Sequence, residues 1–305
     1  MNVLVTGGAG FIGSHVAEAL LARGDAVTVL DDFNDFYNPA LKRHNAARFP
    51  DVVEADIRAP LPRRKKFDAI IHLAARAGVR PSLAQPRLYA EVNVIGTQNL
   101  LEFARETGVK KFVFGSSSSV YGVNQKLPFS EADPIFQPIS PYAATKLAGE
   151  ALCHVYHHLY GLDMVCLRFF TVYGPRQRPD LAIRKFTEAI LAGNPIEIFG
   201  DGTTRRDYTH IDDIVQGVVA SLDRPFGYEI INLGESRTVE LRELIALIEK
   251  ATSKRAKISR LPLQPGDVPI TFADISKARQ LLDYVPQVAI ETGIARFVEW
   301  FRNQT

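Results

Sequence analysis

The chain has almost no net charge and almost no sulfur chemistry to offer. Lys and Arg number 36 against 34 Asp and Glu over 305 residues, a formal charge of +2. Composition therefore dictates no surface of one sign, and nucleic-acid binding is not expected. Only two cysteines occur, Cys153 and Cys166, in no metal or redox spacing. That excludes a disulfide framework and suits a reducing, cytoplasmic setting. No apolar run approaches the roughly 18 residues of a membrane span, and glycines interrupt the first apolar stretch with no basic segment before it, so no secretory signal is expected. What is present is ordinary for a globular protein, 46% hydrophobic and 23% charged residues. The length is enough for a large core without staples and reads as one large or two modest domains.

The first thirty residues form one unit. Val3-Leu4-Val5 reads as a buried strand, Gly7 to Gly13 as a glycine-rich turn, Val16 to Leu21 as helix, and Ala26 to Leu30 as a second strand ending at Asp31-Asp32. Strand, helix, strand in that order is a right-handed βαβ unit of a parallel sheet. The alternation continues with strands near 51–55, 68–73, 111–116 and 164–169, and helices over 88–107 and 141–160. These short runs rich in Val and Ile suit strands covered on both faces. The expected fold class is α/β, a doubly wound parallel sheet of the Rossmann kind. It would occupy residues 1–170, with a later strand at 228–233 returning to it. A smaller mixed α/β region over 171–305 is expected to hold more helices (181–191, 239–252, 276–282, 290–303) than strands. The basic cluster Arg63-Arg64-Lys65-Lys66 reads as a solvated loop.

Gly8-x-Gly10-x-x-Gly13 follows a strand and opens a helix, and Gly7 adds a further glycine to the run. A pyrophosphate must approach backbone amides at a helix N-terminus, where side chains would obstruct it. Asp31 ends the second strand, where an acid accepts from the adenosine ribose and repels a 2′-phosphate, favouring NAD over NADP. Asp56 and Ile57 are placed to cap the adenine, and Leu73 and Ala74 to border the adenosine and phosphates.

Tyr142-Ala143-Ala144-Thr145-Lys146 sets a phenol and an ammonium four residues apart on one face of a helix that starts after Ser140-Pro141. A free tyrosine, with a pKa near 10, is a poor base at neutral pH. A nearby lysine cation, together with an oxidised nicotinamide ring, favours phenolate, which can take a proton from a substrate hydroxyl as hydride leaves. The serine run Ser116 to Ser119 ends a strand at its carboxyl edge, where ligands bind in such sheets.

These motifs together resemble the extended short-chain dehydrogenase/reductases of the NAD-dependent nucleotide-sugar epimerase/dehydratase family. The resemblance runs nearly end to end: Thr6 to His15, the serine run with Val120-Tyr121-Gly122, Tyr142 to Lys146, Arg168 to Pro175, and Arg206 to Asp213. It implies Tyr142 as catalytic base and Lys146 as the residue that lowers its pKa and holds the nicotinamide ribose. Ser117 would bond the sugar C4 oxygen, and Arg206 would grip the diphosphate. It also implies cofactor contacts from Gly7, Gly10, Phe11, Ile12 and Gly13, from Asp31, Asp32 and Asn34, and from Asp56 and Ile57. Leu73, Ala74, Ala75 and Asn93 complete that set. A homodimer through the 88–107 and 141–160 helices is a further implication.

Departures from the family pattern narrow the reaction. Sugar-nucleotide dehydratases carry an Asp-Glu pair where Ser118 and Ser119 stand here, and UDP-glucuronate decarboxylases carry a glutamate at the Ser119 position. A 4-epimerase needs neither. The segments Asp31 to Arg43, Ser116 to Gly122, Arg178-Pro179-Asp180 and Gln264 to Val268 are similar to UDP-glucuronate 4-epimerases. UDP-galactose-type enzymes usually have arginine at the Gln264 position and asparagine at the Thr171 position, while Arg76, Pro81 and Arg205 match the relatives less well. Substrate contacts are thus expected from Ser117, Ser118, Ser119, Tyr142, Thr171, Arg178, Arg206 and Asp267. UDP-glucuronate is the first reading, and UDP-glucose or its N-acetyl analogue the second. A non-catalytic NAD sensor would have lost Tyr142 or Lys146. A metal on His154, His157 and His158 lacks a clear further ligand, and His72 and His210 read as packing or hydrogen-bonding residues.

Overall fold

The computed structural model describes residues 1–62, 65–262 and 268–304. The first half runs β1 (Asn2–Thr6), α1 (Phe11–Ala22), β2 (Ala26–Asp31), α2 (Pro39–Ala46), β3 (Val52–Glu54) and β4 (Ala69–His72). Then come α3 (Val79–Ala84), α4 (Pro86–Ala90), a π-helical turn at Glu91–Ile95 and α5 (Gly96–Thr107). β5 (Lys111–Ser117), a 3₁₀ turn at Ser118–Tyr121, α6 (Pro141–Tyr160) and β6 (Asp163–Phe169) complete it. The second half comprises β7 (Thr171–Tyr173), α7 (Ala182–Ala192), β8 (Pro195–Phe199), β9 (Arg205–His210), α8 (Ile211–Leu222) and β10 (Tyr228–Leu233). β11 (Thr238–Glu240), α9 (Leu241–Thr252), β12 (Lys257–Leu261), α10 (Ser276–Leu282) and α11 (Ile290–Arg302) follow.

Seven strands form one sheet in the order β10-β6-β5-β4-β1-β2-β3, and every pairing in it is parallel. This is the doubly wound arrangement, and the anticipated strand at 228–233 does return to it beside β6. Period-two alternation sorts the strand residues onto two faces. Val3, Val5, Val113 and Leu167 pack with Val16 and Leu20 of α1 and Ile214 and Val218 of α8. Leu4, Ile70, Phe112 and Phe114 pack on the other face with Leu100 and Leu101 of α5 and Tyr156 of α6. A third cluster, including Ile183, Phe186, Ile198, Leu244, Ile248 and Phe297, holds the second half together.

Two expectations change. Beyond residue 170 the described residues hold six strands and five helices, so helices do not predominate. Of the five unexpected strands, β7 and β11 have three residues each and β9 reads Arg-Arg-Asp-Tyr-Thr-His, with no apolar alternation to mark it, whereas β8 does alternate, Ile196 and Ile198 inward, behind a Pro195 that reads as a break. α8 begins at an unusual cap, the His210 ring accepting from Asp212 N at 3.2 Å. The single helix expected over 88–107 contains the π turn, a local irregularity often tied to function.

Helix α6 is fixed to the sheet by a buried ion pair. Arg168 of β6 donates from Nε and Nη2 to the two oxygens of Glu150 at 2.9 and 2.8 Å, and Ser116 Oγ donates to the same carboxylate at 2.5 Å. Arg168 and Glu150 are 3% and 2% exposed, so each depends on the other to offset its lost hydration. Replacement Arg168→Leu strands the carboxylate and is expected to cost about 3–5 kcal/mol. Urea unfolding of the variant would check this, and a loss below about 1 kcal/mol would contradict the assignment.

Candidate active site

A cavity of about 440 Å³ lies at the carboxyl ends of the central strands, where open α/β sheets bind ligands. Its floor is the β1–α1 turn. Gly7 sits at φ +66°, and a Cβ there would fall 2.7 Å from Ala74 N; one at Gly13 would fall 2.2 Å from Gly7 O. Only glycine permits this packing, which brings the backbone and the α1 N-terminus to the cavity. Gly10, Phe11 and Ile12 line the same floor. Asp31 closes the far end, 4% exposed, its Oδ1 accepting from Phe33 N at 2.9 Å and Lys42 Nζ at 3.2 Å. Burial pushes its carboxyl above the ordinary value, with Lys42 opposing. Asp32, Asn34, Asp56 and Ile57 stand around it, and Leu73, Ala74 and Ala75 form the adjoining wall. This backbone cradle with an acid at its end fits a dinucleotide.

Asn93 does not face the cavity. Its Oδ1 accepts from Arg76 N at 2.8 Å, while Nδ2 donates to Arg76 O at 2.9 Å and Thr145 Oγ1 at 3.0 Å. Every polar atom of this side chain is committed, so it shapes the wall from behind. The π turn is what aims it there.

Tyr142 and Lys146 occupy the first turns of α6, whose N-terminus is set by Ser140 Oγ accepting from Ala143 N at 3.1 Å and by Pro141. Both line the cavity with Ser117, Ser118 and Ser119. Ser117 Oγ accepts from Ser119 N at 3.2 Å and Ser119 Oγ at 3.0 Å. Burial pushes the Tyr142 phenol up, while hydrogen bonding with Ser117 and the charge of Arg178 pull it down. The phenol and the lysine share the cavity wall. Lys146 Nζ donates to Gly115 O at 2.7 Å and lies 6.0 Å from the Tyr142 ring centroid. The Arg178 charge also acts on the phenol. Burial lowers Lys146 to about 8, with Glu150 opposing.

Thr171, Arg178 and Arg206 complete the opposite end of the cavity. Arg206 Nη1 donates to Arg205 O at 2.8 Å, while Arg205 turns away to Glu240 at 2.8 Å. Asp267, with Gln264 to Gly266, lies outside the described residues, as do Arg63 and Arg64. Lys65 forms an exposed ion pair with Asp51 at 2.7 Å. His72 is buried between Thr6 Oγ1 and Thr97 Oγ1, both at 2.8 Å, and burial, aided by Lys146, lowers it to about 3. His157 Nδ1 meets Leu162 O at 2.9 Å, and His154 packs edge-on to Tyr228. Among the described residues no cluster of three or more metal-ligating side chains occurs.

Several cavity residues carry no sequence signal. Phe36 and Tyr37 fold over the opening, Lys42 reaches Asp31 from α2, and Leu181, Val268 and Thr271 line the far wall. Asp31 to Arg43 stands out in the sequence as a segment, yet spacing alone does not tell which of its residues turn inward.

A nucleotide cradle joined to a tyrosine–lysine helix across one cavity defines a dinucleotide-dependent enzyme that acts on a hydroxyl-bearing substrate. The profile of the NAD dependent epimerase/dehydratase family matches residues 3–234, and the chain belongs to that family. It is 46% identical over 311 residues, covering 98% of this chain and 96% of the relative, to a UDP-glucuronate 4-epimerase of Thermodesulfobacterium geofontis. A crystal structure of UDP-glucuronic acid 4-epimerase from Bacillus cereus in complex with UDP-glucuronic acid and NAD superposes with a TM-score of 0.92 at 38% identity, covering 100% of both chains. A UDP-glucose 4-epimerase from Thermotoga maritima with UDP-glucose gives 0.94 at 35% identity, over 100% of this chain and 99% of that one.

Lys146 supplies a pH signature in the dinucleotide-free protein. Its folded value near 8 lies below the ordinary 10.5, so between these values the unfolded chain binds the extra proton and stability rises with pH. Relative to Lys146→Met, the wild type should gain unfolding free energy across that window. Parallel melts at stepped pH would show it, and a constant difference would contradict the assignment.

Proposed function

We propose that the protein interconverts UDP-glucuronate and UDP-galacturonate as an NAD-dependent 4-epimerase. One observation carries this reading, the division of charge along the cavity. Among the described lining residues the acids are Asp31, Asp32 and Asp56, all at the dinucleotide end, while the Tyr142 end presents Ser117, Ser118, Ser119, Thr171, Arg178 and Arg206. That end has hydroxyls and guanidinium groups for a uronate carboxylate and for phosphates. Among the described residues it presents no carboxyl pair for eliminating water. The similarity to UDP-glucuronate 4-epimerases supports the same reading.

Tyr142 takes the proton from O4, and Ser117 positions that oxygen. NAD, when bound, would supply the hydride acceptor and donor for C4. Lys146 holds the nicotinamide ribose, and its charge adds to that of Arg178 in favouring phenolate. Arg206 grips the diphosphate while the 4-keto sugar turns. Ser118, Ser119, Thr171 and Arg178 hold the carboxylate still through the ketone stage, and Asp267 belongs to the same substrate set. In this reading residues 1–170 carry the cofactor and 171–305 the nucleotide sugar, with β10 crossing back.

We place the protein in the cytoplasm, consistent with two free, buried cysteines; no helix among the described residues is long and apolar enough to cross a membrane. The homodimer reading rests on the outer face of the two long helical segments. Ile95 on one segment and Val155, Leu159 and Tyr160 on the other are 50%, 43%, 60% and 50% exposed, large apolar side chains that a second copy would cover. Light scattering should give twice the chain mass, and Leu159→Glu should give monomer.

Proton NMR of the protein with UDP-glucuronate, UDP-glucose and UDP-N-acetylglucosamine, each incubated separately with NAD, tests the substrate. The expected result is a UDP-galacturonate anomeric signal from the uronate alone. Turnover of the neutral sugars only would remove the uronate assignment.

A further inference from the structure

Arg178 and Asp180 flank Pro179 in the loop between β7 and α7. The loop backbone is tied down on several sides. Gln177 N donates to Gly174 O at 3.1 Å, Gln177 Nε2 to Val172 O at 3.1 Å, and Arg184 Nη1 to Gln177 O at 2.6 Å. Arg176, held at φ +64°, reaches Glu18 of α1 at 2.5 Å. A residue is kept in that left-handed conformation only where its surroundings demand it. With the backbone fixed, the freedom left at this end of the cavity is in the Arg178 side chain.

Asp180 removes that freedom. Its Oδ1 accepts from Arg178 Nε at 2.9 Å and its Oδ2 from Nη2 at 2.8 Å, a two-point fork that sets the guanidinium plane. The Phe36 ring lies 5.5 Å from the guanidinium carbon, and Arg178 is only 20% exposed. Among the described residues, Nη1 has no hydrogen-bond partner. Burial would raise the Asp180 carboxyl, but Arg178 holds it below its ordinary value, so it is charged at neutral pH.

We infer that Asp180 is a positioning residue which presents the Nη1 edge of Arg178 to the substrate carboxylate in one orientation and so keeps the uronate intact while C4 is a ketone. This rests on the uronate reading above. The hazard is specific. In a 4-keto uronate the C5–C6 bond can break, its electron pair passing into the C4 carbonyl as an enolate while carbon dioxide leaves and C5 takes a proton from water. The break requires that bond to lie along the carbonyl π system. A C6 anchored through its carboxylate by a fixed fork cannot swing to the axial position that this alignment needs, whereas one held by a swinging arginine can.

The charge argument separates orientation from binding. Asp180 offsets part of the Arg178 charge, so Asp180→Asn leaves the cation at least as attractive to a uronate while losing one point of the fork. The Asn variant should therefore bind UDP-glucuronate no more weakly than wild type by calorimetry, with UDP-glucose binding unchanged. Its ratio of decarboxylated product, UDP-4-keto-pentose together with the UDP-pentose formed where the reduced dinucleotide returns its hydride, to UDP-galacturonate by NMR should rise at least about tenfold, as about 1.4 kcal/mol between competing barriers produces. Asp180→Glu, which restores the carboxylate, should bring the ratio back toward wild type, and the melting temperatures should stay close. A wild-type product ratio in the Asn variant would overturn the inference. So would a uniform loss of binding to both sugars with a lower melting temperature, which marks a merely structural role. If wild type itself leaves UDP-glucuronate unchanged, the substrate reading fails first and takes this inference with it.

Discussion

The site depends on how closely α6 lies against the central sheet. Two consecutive residues of β5 hold two residues one helical turn apart: Gly115 O accepts from Lys146 Nζ, and Ser116 Oγ donates to Glu150. Arg168 closes the Glu150 contact from β6, and its guanidinium carbon lies 4.8 Å from the Tyr121 ring. Gly149 lets the helix come this near, since a Cβ there would lie 2.3 Å from the Phe114 ring. A buried ion pair is a poor source of net stability because both charges lose their water. Its value here is geometric. It fixes the rotation and depth of the helix that carries Tyr142, and a phenol displaced by an ångström is no longer in hydrogen-bond reach of a sugar hydroxyl.

From that fixed helix the cavity divides by charge. The dinucleotide end has three aspartates and a helix N-terminus, suited to ribose hydroxyls and a pyrophosphate. The Tyr142 end has hydroxyls and two arginines. Arg178 acts on both partners of the proposed reaction, drawing the Tyr142 phenol downward against burial and offering an edge to a substrate carboxylate. Among the described lining residues no carboxyl group faces this end, and the Asp180 carboxylate is taken up by Arg178. Among the described residues, proton exchange at O4 is the acid–base step the Tyr142 end supports.

Much of this was legible in the sequence because it depends on local rules. The glycine turn is recognisable since a backbone approach forbids side chains, and Asp31 since it ends a strand at a set distance. α6 begins and ends where Ser140-Pro141 and Gly161 place it, the glycine at φ +67°. Tyr142 and Lys146 share a face by helical period alone. What was not legible depends on distant contacts. Asn93 bonds the Arg76 backbone and Thr145, contacts that no periodicity reveals. Lys42 and Phe36 enter the cavity through a folded-over segment. The two-point clamp of Asp180 on Arg178 is local in sequence, yet nothing in Arg-Pro-Asp says that the pair turns inward. β7, β9 and β11 escaped notice since their pairing is set by neighbours rather than by an apolar pattern.

The central claim is that C4 is oxidised and reduced within one closed cavity, with the hydrogen retained. UDP-glucuronate carrying deuterium at C4 tests it most directly, with the product examined by NMR and mass spectrometry in ordinary water. The account predicts that UDP-galacturonate keeps the deuterium at C4. Its replacement by hydrogen from solvent would contradict the account, because the inversion would then proceed by removing C4–H as a proton.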